Sequence, residues 1–153
     1  MAPRAFPRIP ARSLEGVDVT LPDAFAGSRN LAIVAFRREH QQLVDSWVPW
    51  LDARAGDERA LAFYELPTIA RIWAPMRPFI DGGMARAIRD PVVLRRTLTI
   101  YGDVRALTEP LGIADRSTIA LFLVDGSGVV LWSGKGGFDE EVAADLERVL
   151  HLD

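Results

Sequence analysis

The chain has 153 residues, of which 49% are hydrophobic and 25% are charged, and this size and apolar content suit a single globular domain. Its net charge of −3 argues against a nucleic-acid binder driven by electrostatics. The sequence contains no cysteine, which excludes disulfides, thiolate metal sites and any dithiol redox cycle carried by this chain alone. No apolar run approaches the roughly 20 residues of a membrane span, and the first residues lack a signal-like apolar region, so we expect a cytoplasmic protein without an integral membrane segment.

The predicted elements begin with a Pro-rich N-terminal lead-in over residues 1–29, in which alternating apolar residues at 17–21 predict one short strand. Residues 30–36 form a continuous apolar run of strand length. The apolar spacing over 43–51 then predicts a helix, which Pro49 is expected to kink or to deprive of one backbone hydrogen bond.

The middle of the chain mixes strand-like and helix-like patterns. Residues 61–66 and 98–101 are predicted strands, because each is a short and largely apolar run. The segment 69–97 is predicted to be a helical insertion interrupted by prolines and glycines, and residues 105–111 a short helix.

The last third of the chain predicts a β-hairpin followed by a helix. Two apolar strands, 118–124 and 129–132, flank the turn Asp125–Gly128, whose glycines accept positive φ angles. Residues 133–137 are expected to form a bulge and a helix cap, and the acids that begin at Asp139 favour the start of a helix. The order of elements predicts an α/β fold with a central mixed sheet covered by helices on both faces.

The segment Leu14–Asp23 and the strand that ends at Phe36 resemble the thioredoxin fold, and the lead-in resembles its peroxiredoxin and thiol-reductase branch. Thioredoxin-like proteins carry a CxxC motif at the start of the first long helix. Its spacing from the preceding strand and from a proline within the helix, here Pro49, implies that Gln41 and Val44 occupy the two cysteine positions.

The same resemblance implies that the redox centre is missing. Ala35 stands where relatives often bury an acid, and Thr118 stands where they have a cis-proline. Because a thiolate is the nucleophile in disulfide exchange and in peroxide reduction, we exclude both activities for this chain. The resemblance still implies a single thioredoxin-like domain over residues 1–153, a three-layer fold that closes with a C-terminal β-hairpin plus helix.

A resemblance that covers nearly the whole chain points to the thioredoxin-like family of the mitochondrial ATP synthase assembly factor and its bacterial relatives. The blocks that carry it are Leu43–Pro49, Phe63–Pro67, Pro75–Met84, Leu121–Gly126 and Phe138–Glu141. This resemblance implies a non-redox role in assembling or handling another protein, with membrane-sector ATP synthase subunits among the implied clients.

The candidate binding residues fall in three places. Ligands of α/β sheets bind at the carboxyl ends of strands and at helix N-termini, which favours the loop before the first helix, although a solvated charged loop explains the same residues. The edge before the hairpin and the Pro75–Met84 segment are the other two places. The candidates are Arg37, Arg38, His40, Gln41, Thr118, Arg77 and Asp81.

Two functions from different classes fit these residues, and an oligomer-dependent interaction domain is a third. The first is a non-enzymatic protein that holds a client as an assembly factor or chaperone. The second is a glutathione- or small-ligand-binding enzyme that uses the thiol of its cofactor, with Arg37 or Arg38 holding a carboxylate. No resident cofactor is expected, and no metal site either, because His40 and His151 are far apart in the sequence. The sequence leaves the oligomeric state and the client open.

Overall fold

The structure is a computed structural model that describes residues 4–54, 61–70, 96–102 and 104–151. A single turn of 3₁₀ helix, Arg38–His40, precedes the first of its α-helices. The α-helices in the described ranges are α1 (Gln41–Arg54), α2 (Arg105–Leu111) and α3 (Glu140–Leu150). The strands are β1 (Ile9–Ser13), β2 (Asp18–Leu21), β3 (Arg29–Ala35), β4 (Leu61–Ala70), β5 (Leu98–Gly102), β6 (Ala120–Asp125) and β7 (Val130–Lys135).

The strands form one mixed sheet in the order β2-β1-β5-β4-β3-β6-β7. The central strands β3, β4 and β5 run parallel to one another, whereas β6 is antiparallel to β3 and β7 is antiparallel to β6. On the other side, β1 pairs antiparallel with both β5 and β2. The end of β3 therefore lies beside the start of β6 and the end of β7, all at one edge of the molecule.

The two faces of the sheet bury separate apolar clusters, as alternation along the strands requires. Ala32 and Val34 of β3 belong to the cluster that α2 and the N-terminal segment cover. Leu31 and Ile33 point to the opposite face, where Trp47 of α1 and the helix α3 cover the sheet. The result is the predicted three-layer arrangement, with helices on both faces of a mixed sheet.

The N-terminal segment contributes more regular structure than the sequence predicts. The strand predicted at 17–21 is confirmed as β2, but the prediction missed β1, because Pro10 interrupts its apolar pattern. Pro10 lies where β1 pairs only with β2, since β5 reaches no further than Arg12 and Ser13. The missing N–H of Pro10 therefore costs the sheet no hydrogen bond to β5.

The predicted strand 61–66 is confirmed but extends to Ala70, so the predicted helical insertion 69–97 is wrong at its first two residues. The pattern is typical of a strand that ends at Pro67, which has no backbone donor. In the structure β3 pairs with one side of β4 as far as Pro67, and β5 pairs with the other side from Thr68 to Ala70. At the other end of that segment, Thr97 forms a bridge to Glu65.

Four local features of the C-terminal half and of α1 bear on the sequence predictions. The hairpin turn is confirmed, with Gly128 at φ +91°. The Asp139 carboxylate caps α3 by accepting from the N–H groups of Glu141 and Val142 at 2.8 and 3.2 Å. The bulge expected at 133–137 lies instead at Leu131 of β7, where the register shifts opposite Leu123 and Val124, and α1 continues through Pro49.

The residues before β1 form hydrogen bonds to the β6–β7 hairpin and to the end of α2. The Phe6 N–H donates to the Gly128 carbonyl, and the Val130 N–H donates to the Arg4 carbonyl, both at 2.8 Å. The Arg4 guanidinium also donates to the carbonyl of Leu111 at 2.7 Å, at the end of α2. The start of the described chain is thereby bound both to the hairpin and to α2.

Candidate functional site

The candidate site lies where the end of β3, the start of β6, the end of β7 and the start of α1 meet. The backbone register places these segments side by side, because Val34 pairs with Ala120 and Ala120 pairs with Lys135. Just beyond, the Gly136 N–H donates to the Ile119 carbonyl at 3.0 Å. We call this surface the α1-start face; it consists of Arg37, Arg38, Gln41, Thr118, Lys135 and Phe138.

The two positions predicted to correspond to the cysteines of thioredoxin-like proteins have opposite environments. Gln41 is exposed at the first turn of α1, and its side-chain amide donates to the Asp45 carboxylate at 2.9 Å. Val44, one turn further, is only 2% exposed and packs in the core beneath α1. Neither side chain has nucleophilic or redox chemistry, so this face has no thiol of its own.

His40 lies inside the protein and not on the surface of the loop. Its ring is 3% exposed and contacts the Phe36 ring edge-on, with 6.4 Å between the centroids. The Phe36 N–H donates to Nδ1 of His40 at 3.0 Å, so the proton of the neutral ring lies on Nε2. Among the residues that the structure describes, the buried Nε2 has no hydrogen-bond partner. His40 therefore holds the loop between β3 and α1 and does not face a ligand.

A half-buried carboxyl group that the sequence analysis did not single out lies below the start of α1. Glu65 is on β4 and shares the α1 side of the sheet with Phe63, two residues earlier. Burial raises the pKa of Glu65, a hydrogen bond from Gln41 opposes that rise, and the Asp45 carboxylate adds to it. The detectable signal in the sequence is one acid within an otherwise apolar strand.

The loop before β6 brings an anchored carboxylate close to two cations. The Ser117 N–H donates to the Asp115 carboxylate at 2.9 Å, and the Ser117 hydroxyl does so as well. The pKa of Asp115 is lowered mainly by this hydroxyl and then by that N–H, with further contributions from the charges of Lys135 and Arg37. Thr118, half-buried and directly before Ile119, therefore lies in a predominantly basic neighbourhood.

An apolar side chain borders the basic part of the face. Phe138 is 40% exposed, and its ring meets the Trp47 ring at a centroid distance of 5.2 Å. Its N–H donates to the Ser46 hydroxyl at 2.8 Å, which ties the loop after β7 to α1. Gly137 sits so close to α1 that a Cβ there would lie 3.0 Å from Leu43 Cδ2. The loop is thus held tightly against α1, with the Phe138 ring presented at the surface.

Further features that bear on the candidate site are the two other predicted site residues, the metal-ligating side chains and the apolar character of the helices. Arg77 and Asp81 lie outside the described residues. Within the described ranges, no group of three His, Asp or Glu side chains converges as a metal site would require. No described helix combines the length and the apolar character that crossing a bilayer requires. Of the predicted set, the structure places Arg37, Arg38, Gln41 and Thr118 at one edge, with His40 buried beneath them.

No protein-family model matches the chain, and no curated protein matches it. Solved structures match along almost its entire length. BsSco, a member of the Sco family of cytochrome c oxidase assembly proteins, has a TM-score of 0.63 at 12% identity, over 99% of this chain and 96% of its own. The exposed lipoprotein thioredoxin Etrx1 of Streptococcus pneumoniae has 0.60 at 12%, over 95% and 99%. A thioredoxin-family thiol:disulfide interchange protein of Chlorobium tepidum has 0.54 at 14%, over 98% and 95%.

These likenesses show that the fold is thioredoxin-like and confirm the predicted fold class. Their sequence identities, 12 to 14%, limit the likeness to the fold. They give no support to the narrower resemblance to the ATP synthase assembly-factor family.

Proposed function

We propose that this chain is a redox-inactive thioredoxin-like protein that binds another protein at the α1-start face, as an assembly factor or chaperone. The observation that supports the proposal is that this face has no thiol and yet exposes cations and an aromatic ring. The thiol positions hold Gln41 and the buried Val44, while the edge around them still presents exposed cations and the Phe138 ring.

The neighbouring structures support a binding role only by analogy. BsSco is described as an assembly protein, which shows that this fold serves in the assembly of other proteins. The client to test first is a membrane-sector subunit of ATP synthase, since the sequence blocks at 43–49 and 121–126 resemble that assembly-factor family.

Affinity capture with a matched control tests the proposal. The bait chain is incubated with a detergent-solubilised lysate of its native organism as wild type, as Arg37→Ala/Arg38→Ala, and as Arg8→Ala/Arg148→Ala. The control pair lies away from the α1-start face, with side chains 71% and 75% exposed in surface ion pairs. We expect one protein to be recovered by wild type and control and to be depleted about tenfold by the first variant.

Recovery of no protein above the bait-free matrix would overturn the proposal. Equal recovery by all three baits would also overturn it, because the binding surface would then lie elsewhere. Circular dichroism of each bait excludes unfolding as the cause of a loss.

A further inference from the structure

The α1-start face presents three exposed cations, and the Asp115 carboxylate lies near enough to two of them, Lys135 and Arg37, for their charges to lower its pKa. Arg37, Arg38 and Lys135 are exposed, and in the part of the chain that the structure describes none of the three forms an ion pair. Lys135 is also the only lysine among 18 basic residues. The start of α1 adds the positive end of a helix dipole at the same place.

The acids nearby keep their charge, because a hydrogen bond to a carboxylate does not neutralise it. Asp115 accepts from Ser117, Asp45 accepts from the Gln41 amide one turn into α1, and Glu39 is exposed in the loop. Beside β6 and β7, the cations Arg37, Arg38 and Lys135 still outnumber the acids Asp115 and Glu39, so this part of the face is positive on a molecule whose net charge is −3.

An apolar contact stands at a short distance from these cations. Phe138 follows Lys135 by three residues, so their Cα atoms lie within about 11 Å even along a fully extended chain. Beyond Phe138 the surface changes sign, because Asp139, Glu140 and Glu141 begin α3. Along the chain, Phe138 thus stands between the cation Lys135 and the acids that begin α3.

From this charge pattern we infer that the client segment bound by the α1-start face is acidic, with carboxylates near Arg37 and Lys135 and an apolar side chain against Phe138. The inference rests on the proposed function and adds the chemistry of the partner. Complementary charge gives such a complex its specificity and its rate of association, and the apolar contact supplies burial. A basic segment is disfavoured by the same cations.

Selection from a display library of random peptides on the immobilised chain tests this inference. Three baits are compared: wild type, Arg37→Gln/Lys135→Gln, and the control Arg8→Gln/Arg148→Gln. We expect peptides selected by wild type and control to be enriched in Asp and Glu beside a large apolar residue. A synthetic copy of the most enriched peptide is expected to bind the first variant about tenfold more weakly and to lose affinity as salt is raised.

Selected peptides without an excess of acidic residues would overturn the inference, as would an acidic peptide that binds the two variants equally. Saturable binding of glutathione, without selection of acidic peptides, would overturn it in favour of a small carboxylate ligand. Failure of the proposed function is distinguished by the capture experiment. A captured client whose bound segment is not acidic leaves the proposed function standing while the inference fails.

Discussion

His40 shows how a residue chosen for chemistry can serve structure. The charged loop of the sequence is typical of a solvated segment, yet the ring is buried because its Nδ1 is the acceptor for the Phe36 N–H. This contact depends on the folded conformation of the loop, so the sequence pattern alone could not predict it. The same limit explains why Glu65 was missed, since only the assembled sheet places it below the start of α1.

Removal of the His40 ring is expected to destabilise the fold. His40→Ala leaves the Phe36 N–H without its acceptor and opens a cavity, which together cost about 2–3 kcal/mol. His151→Ala is the matched control, because that side chain is 76% exposed. Urea unfolding of both variants measures the difference, and an equal effect of the two substitutions would contradict the structural role.

Glu65 predicts a specific dependence of stability on pH. Burial raises its pKa in the folded chain above the ordinary value of 4.5, so the folded state binds this proton more tightly than the unfolded state does. The resulting stability is complete below pH 4.5 and is lost as pH rises through the folded pKa. We expect Glu65→Gln, which stays neutral, to be more stable than wild type near neutral pH, and the gap to close in acid.

Glu147→Gln gives the opposite sign and serves as the comparison. A hydrogen bond from Arg54 lowers the pKa of Glu147, so its stabilising contribution is present above 4.5 and is lost as pH falls through the folded pKa. This variant is expected to be slightly less stable than wild type near neutral pH, because a half-exposed pair is screened by solvent. Urea unfolding at neutral and acid pH measures both variants. Parallel pH profiles for the two would contradict the assignment of Glu65.

At the scale of elements, the sequence predicted most of the sheet and all three described α-helices. Its errors are concentrated at prolines. Pro10 suggested the absence of a strand, but it lies where β1 pairs only with β2. Pro67 suggested the end of a strand, but β4 continues beyond it, because β5 pairs with the other side of β4 from Thr68 onward. Local propensity cannot report which side of a strand will be paired.

The cap of α3 is the element whose contribution is most easily isolated. Asp139→Ala removes the acceptor for two N–H groups and is expected to destabilise the chain by about 1 kcal/mol. Asp139→Ser keeps a capping oxygen and should retain most of that stability. Thermal unfolding compares the two, and an equal loss in both variants would show that the cap itself is not responsible.

For the molecule as a whole, the fold was predictable because its pattern of strands and helices survives the loss of the redox residues. The basic edge was less predictable, since it is assembled from three segments distant in sequence. Its residues come together only because β6 lies between β3 and β7. Arg37 and Arg38 were found because the family resemblance drew attention to that loop.

Cysteines introduced at positions 41 and 44 test whether these positions of α1 correspond to the two cysteines of thioredoxin-like proteins. Gln41→Cys/Val44→Cys places two thiols at i and i+3 on α1, with Cα atoms ~5 Å apart, within the range that a disulfide spans. We expect an intramolecular disulfide on mild oxidation, detected by mass spectrometry. As single variants, Gln41→Cys is expected to react with a thiol reagent at least about tenfold faster than Val44→Cys, since the second position is buried. Equal rates, or no disulfide in the double variant, would contradict the correspondence.

The hydrogen bonds that join Arg4 and Phe6 to the β6–β7 hairpin have a consequence for biosynthesis. The hairpin is translated about 120 residues after its N-terminal partners, which takes several seconds or more at typical ribosome speeds. Until then β3, an interior strand of the sheet, lacks its neighbour β6 on one side. The nascent chain therefore leaves the ribosome with an open strand edge, and chaperones that recognise such edges have their opportunity before the last helix is made.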